Sequence, residues 1–371
     1  MTTKQTNLPT SSITTSKKRL TSQDLRKALN RLSDIAPSDS PLISCFINLT
    51  ENLQATLQLF DRQAKDMARH FVGSRLVDFQ DAYGEIRKYL TDSVPKGSRG
   101  AAIYARWGKR PLLIPLDFKV VLETKLVVDT LPHIYPVIET RDTYHRFAIV
   151  IVTEKEARIV ETVMGAVTQE IFTERPELRE RLGREWTRER FQKYRDEQND
   201  RFMKQKIEIL DELMQRRGHN HLVIAGSPKM VARLTKSLPT RLKDKLITTL
   251  FANPSNGIYP IVVEALEVFT AYEHIESHDR VSQLQSAILS AGLGVAGSEE
   301  TQKAIAQGYA DMLIINKELP DSELRERLVR LAIRNDVPIE TVKDSDVLEE
   351  LSGVGCLLSY RPHSNESVAK P

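Results

Sequence analysis

Six residues in one eight-residue stretch, "GREWTRER", have chemistry suited to nucleic acid: Gly183, Arg184, Trp186, Thr187, Arg188 and Arg190. An indole flanked by guanidinium groups can stack on an unpaired base, a contact worth roughly 1–3 kcal/mol, while the arginines take phosphate oxygens. The same indole would equally serve as an anchor packed on neighbouring strands. Glu185 and Glu189 stand in the same stretch and partly cancel its basic field. Their four-residue spacing beside arginine is the pattern of a solvated helix face, and nothing nearby would raise either carboxyl to the pKa a general base needs.

The remaining reactive side chains are scattered. The eight histidines show no metal-ligand spacing: His219 and His221 flank Asn220 in what reads as a polar loop, and His133 and His145 stand alone. No metal site and no cofactor are expected. Cys45 and Cys356 lie in the apolar runs "LISCFINL" and "VGCLLSY" and read as small buried hydrophobes of a reducing compartment. Gly226-Ser227-Pro228 is a tight strand-to-helix turn before it is a phosphate cradle, and the P-loop pattern is absent.

Elements that would position the arginine-tryptophan stretch follow from hydrophobic periodicity. At 371 residues, with 40% hydrophobic and 28% charged residues, the chain is globular in composition and long enough for two or three domains. A net charge of +3 permits a local basic patch without announcing one. The opening segment, 1–18, is rich in Ser and Thr, lacks an apolar core region and reads as a disordered tail. A first α/β domain is expected over 19–140: a helix carrying Leu25, Leu29 and Leu32, the strand "PLISCFINL", a long helical region from 53 to 90, and two strands turning at Gly108.

A second domain, 141–272, opens with three strands, "FAIVIVT", "RIVETV" and "VTQEIF". A helix from about 187 to 217 follows, with Phe191, Tyr194, Phe202, Leu210 and Leu213 on one face, and then strand, turn and helix in "HLVIAGSPKMVARL". A long helix from about 262 to 290 leads into a third domain, 273–371, where helices and strands alternate as in a small α/β/α sandwich. The fold class is therefore α/β: three layered α/β domains, the central one with a mixed sheet. No apolar run is long enough for a membrane helix, and a cytoplasmic location is expected.

Three stretches resemble the archaeal and eukaryotic class 1 peptide-chain release factors and their relative Pelota, and more closely the bacterial release-factor-like (baeRF) proteins. "GVAGSEETQKAIAQGYADMLII" with "GVGCLLSYRP" is similar to the C-terminal domain of that superfamily. "FAIVIVTEKEARIVETVMGAV" looks like the opening hairpin of its central domain, and "ERFQKYRDEQNDRF" like the helix after the catalytic loop. "SRGAAIYARWGKRPLLIPL" looks like the divergent first domain of the bacterial group.

True release factors carry Gly-Gly-Gln just before that helix. Sliding the motif along places it over Arg184, Glu185 and Trp186, and none of its three residues is retained. Trp186-Thr187 fits the tryptophan-hydroxyl variant of bacterial relatives. The resemblance thus implies a protein associating with ribosome or tRNA, reaching the acceptor end with the stretch 183–190 and docking protein or RNA through its last domain. Two further readings stay open: a hydrolase or nuclease acting on peptidyl-tRNA or tRNA with altered catalytic residues, and an interaction scaffold that has lost RNA.

Overall fold

The computed structural model describes residues 22–360, apart from 154–155, 164, 175–187, 253–256 and 291. Three sheets organise the described residues. The first is antiparallel, in the order β3-β2-β1-β4, built from β1 (Leu42–Asn48), β2 (Gly100–Arg106), β3 (Leu112–Phe118) and β4 (Lys125–Asp129). Helices α2 (Leu53–Ala68) and α3 (Ser74–Asp92) cover one of its faces and bury Phe60, Phe79 and Ile86 against Ile43, Cys45 and Ile103. The helical region expected to run unbroken from 53 to 90 is interrupted between Ala68 and Ser74, where Gly73, with a φ of +59°, takes a conformation that favours glycine just ahead of α3.

The central sheet is mixed, in the order β7-β6-β5-β8-β9: β5 (Phe147–Val152), β6 (Glu156–Val163) and β7 (Ala166–Glu174) form the expected antiparallel meander. β8 (Leu222–Gly226) and β9 (Leu246–Phe251) join it in parallel. β5 and β8 are buried along their whole length, which is why "FAIVIV" and "LVIAG" are continuous apolar runs rather than alternating ones. α5 (Arg188–Arg217) and α6 (Pro228–Ser237) pack on one face, and α8 (Tyr259–Leu289) packs Ile261, Val262, Ala265 and Phe269 on the other; the short α7 (Thr240–Lys243) lies between α6 and β9. At Gly226 any Cβ would collide with the carbonyl oxygen of Val152, so the β8-to-α6 turn requires glycine for backbone clearance.

The third sheet, β10-β13-β11-β12, comprises β10 (Gly294–Ala296), β11 (Ala310–Asn316), β12 (Ile339–Val342) and β13 (Val354–Leu358). α9 (Ser298–Ala306) and α10 (Ser322–Arg334) lie on one face, while α8 and the short α11 (Asp346–Glu350) lie on the other, giving the expected three-layer sandwich. α8 runs unbroken through positions 272 and 273, so a single helix serves both the central and the last sheet.

The first and third sheets share a core. α1 (Ser22–Ser33) and α4 (Tyr135–Thr143) pack with α9 and α10, joining Leu29, Leu32, Phe46, Tyr104 and Ile138 to Leu328, Val329 and Ala332. Buried Arg330 of α10 donates to the carbonyls of Leu32 at 3.1 Å, Ser33 at 3.4 Å and Pro132 at 2.7 Å. Glu326, one turn earlier, accepts from the backbone amides of Ile134 and Tyr135, both at 2.9 Å, and so caps α4 from a distant helix. Among the described residues no helix is long and apolar enough to cross a membrane.

Candidate functional site

Along the chain, the arginine-tryptophan stretch follows the edge strand β7 and runs into the first turn of α5. Gly183, Arg184, Trp186 and Thr187 lie outside the described residues; Arg188 and Arg190 occupy the first turn of α5. Phe202, Met203, Leu210, Leu213 and Met214 hold the later turns of α5 on the sheet, as the sequence pattern requires for the three of these it named. Asp200 pairs with Arg233 of α6 at 2.9 Å, and Asp211 pairs with Arg241 of α7. Fourteen residues separate Arg188 from Phe202, so the helix start lies about 21 Å along the axis from the first buried anchor described. The side chains of Phe191 and Tyr194 fall outside the described set.

A second constellation lies at the foot of the central sheet. His145 and His221 precede β5 and β8. Because those two strands are parallel neighbours, with Ala148 opposite Leu222, their leading residues meet. His145 Nε2 approaches His221 Nδ1 to 3.0 Å. Glu273 and Glu276 reach the pair from α8: Glu273 Oε2 is 3.2 Å from His145 Nδ1, and Glu276 Oε2 is 3.0 Å from His221 Nε2. Phe269, stacked on Phe147 at 4.3 Å, presents its ring to both imidazoles.

The electrostatics of this cluster are lopsided. Burial, reinforced by the neighbouring carboxylates Glu276, Asp142 and Glu340, pushes Glu273 up to about 9. Glu276 is held below the ordinary carboxylate range, chiefly by its hydrogen bond from His221. Burial draws His145 down to about 4, against the upward pull of its bond to the Asp142 carbonyl. Asp142 and Glu340 complete the acidic surroundings; burial raises both, while Asp142 accepts from the amide and hydroxyl of Thr341 at 2.7 and 2.6 Å.

His145 is therefore not isolated, nor is "HNH" merely a polar loop, as the sequence led us to expect. His219 is fully buried with its Nε2 2.9 Å from Glu161 Oε1, and His133 meets Glu326 at 2.6 Å. The overlooked signal was positional: both His145 and His221 stand just ahead of a fully apolar strand, and parallel pairing of two such strands brings their first residues together. Gly226-Ser227-Pro228 forms the connection expected of it, with Ser227 as the residue before α6 and no cap bond from its side chain. Cys45 and Cys356 are both buried and free.

A sequence model described as "Bacterial archaeo-eukaryotic release factor family 10" matches residues 132–268, a segment running from just before α4 into α8. Over that segment the chain is similar to this bacterial family, whose features its motifs resemble. No curated protein matches the chain.

Among solved structures, the archaeal translation termination factor aRF1 is 16% identical, with 92% of this chain and 99% of that one covered and a TM-score of 0.29. Dom34 of S. cerevisiae, described as a translation termination-like factor, is 12% identical, covering 71% and 82%, with a TM-score of 0.39. A model of ribosome-bound archaeal Pelota and ABCE1 is 13% identical, covering 91% and 94%, with a TM-score of 0.41.

Proposed function

We propose that this protein associates with the ribosome or with tRNA and acts in translation termination, rescue or ribosome modulation, without Gly-Gly-Gln chemistry. The observation that carries this reading is the family match over residues 132–268, which contains the whole arginine-tryptophan stretch. In this reading Gly183, Arg184, Trp186, Thr187, Arg188 and Arg190 contact RNA near the tRNA acceptor end. The segment would be delivered by α5, whose far turns are fixed to the central sheet.

The working division is a first domain over 19–140, a central domain over 141–272 and a last domain over 273–371, the last offering a surface to a protein partner. A cytoplasmic location goes with this role. Hydrolysis of peptidyl-tRNA has no support in the residues at the motif position, Arg184, Glu185 and Trp186.

Co-sedimentation of the purified chain with ribosomes over a salt series is the direct test. RNA binding through arginine-phosphate contacts releases counterions, so log affinity should fall linearly with log salt. Failure to pellet with ribosomes, or to bind tRNA, at any salt concentration would end the reading. Robust peptide release lost in Thr187→Ala would replace it with an enzyme.

A further inference from the structure

The histidine cluster at the foot of the central sheet has the geometry of a metal site. One ligand atom from each of His145, His221 and Glu273 lies within 4.8 Å of the others. Each imidazole is oriented through its outer nitrogen: His145 Nδ1 faces the Asp142 carbonyl at 2.9 Å, and His221 Nε2 faces Glu276 Oε2 at 3.0 Å. A carbonyl oxygen only accepts, as does an ionised carboxylate, so donation to these partners puts the ring protons on the outer nitrogens. The inner nitrogens, His145 Nε2 and His221 Nδ1, are then left with lone pairs turned toward each other at 3.0 Å.

Glu273 supplies the third ligand. Its residue is 9% exposed, and its Oε1 is buried with no hydrogen-bond partner, 4.0 Å from His221 Nδ1. Two facing lone pairs and an unpartnered carboxyl oxygen are electrostatically unfavourable together unless a proton or a metal ion sits among them. Zinc with nitrogen ligands at about 2.0–2.1 Å separates them by about 3.3 Å in a tetrahedron, so the histidine pair needs to open by only a few tenths of an ångström.

We propose that His145, His221 and Glu273 bind a divalent transition-metal ion of the zinc class. Glu276 and the Asp142 carbonyl act as the outer partners that fix the two rings, the arrangement usual for metal-bound histidine. Reactive ligands in open α/β sheets sit beyond the carboxyl ends of the strands, whereas this cluster sits at the amino ends of β5 and β8. The ion is accordingly a clip: it ties two central strands to α8, the helix that continues onto the third sheet.

The test uses the full chain, stripped with chelator and titrated with zinc chloride by calorimetry, alongside melting curves. Exposed His274 and half-buried His278 lie together on α8 with ring centroids 4.7 Å apart, a second place where zinc could attach, so all measurements are made in a His274→Gln background. One equivalent should bind. Zinc at about 100 times its Kd should raise the Tm by roughly 3–4 °C. Glu276→Gln should weaken binding about 10- to 100-fold through ring positioning. Glu273→Gln, nearly isosteric, should abolish both binding and the Tm response while the metal-free protein still melts cooperatively. Cobalt in place of zinc should give the visible absorption of a low-coordinate site, absent in Glu273→Gln. No zinc binding below about 10 µM in the His274→Gln protein, or a zinc response that persists unchanged in Glu273→Gln, would overturn the proposal.

Discussion

The seam between the first and third sheets and the foot of the central sheet are both buried polar networks, but they are balanced differently. At the seam, Arg330 meets three backbone carbonyls, and Glu326 meets two backbone amides and His133. Donors and acceptors there complement one another. At the foot, acceptors outnumber donors, the carboxyl groups crowd together, and Glu273 Oε1 has no partner. A closed network holds two parts of a chain in one arrangement. An open one retains capacity for a proton or a cation, so the seam reads as architecture and the foot as a site.

The comparison breaks most visibly at Arg330. Arg330→Ala strands three carbonyls in a buried junction and should cost about 3–5 kcal/mol, measured by urea unfolding. Phe269→Ala, which removes the ring against Phe147 and both histidines, should cost about 3–5 kcal/mol as a core truncation, and it should also disturb the foot while leaving the seam intact. Unchanged urea midpoints in both variants would mean that these contacts do not hold the sheets.

A pH series sharpens the contrast. The carboxyls of Glu273 and Glu340 are raised in the folded state, so their contribution to stability is fully present below the ordinary carboxylate pKa, near 4.5. It is lost as the pH climbs through the folded value, about 9 for Glu273. In metal-free buffer the Tm should therefore decline between about pH 5 and pH 9, and Glu340→Gln should flatten that decline. A Tm that rises over this range in the native sequence would contradict the open character of the foot.

Much of the fold was legible because burial writes itself into sequence. The meander β5–β6–β7 and the strand-turn-helix at Gly226 followed from apolar runs and turn residues. β4, α4, α7, β9 and β10 went unanticipated. α4 is the instructive case: its leading amides are capped by Glu326, some 190 residues away, and no local signal records a cap supplied by another helix. The foot was illegible for a similar reason. His145 and His221 are 76 residues apart, and only the parallel pairing of β5 with β8 brings them together. The arginine-tryptophan stretch was singled out by residue type alone; of its residues, Arg188 and Arg190 fall in the first turn of the helix that the pattern required.

The smallest expected effects concern that stretch, and they separate its two kinds of contact. Trp186→Ala should weaken ribosome or tRNA binding by about 1–3 kcal/mol and leave its salt dependence nearly unchanged. A protein that melts much earlier yet binds normally would instead identify the indole as core.

The most direct test of the proposed function is the salt dependence of ribosome binding by an Arg184→Glu, Arg188→Glu double variant beside the native sequence. If these arginines hold phosphates, affinity should fall and the slope of log affinity against log salt should flatten by roughly two units. Identical affinities and identical slopes for the two proteins would contradict an RNA-contacting role for this stretch.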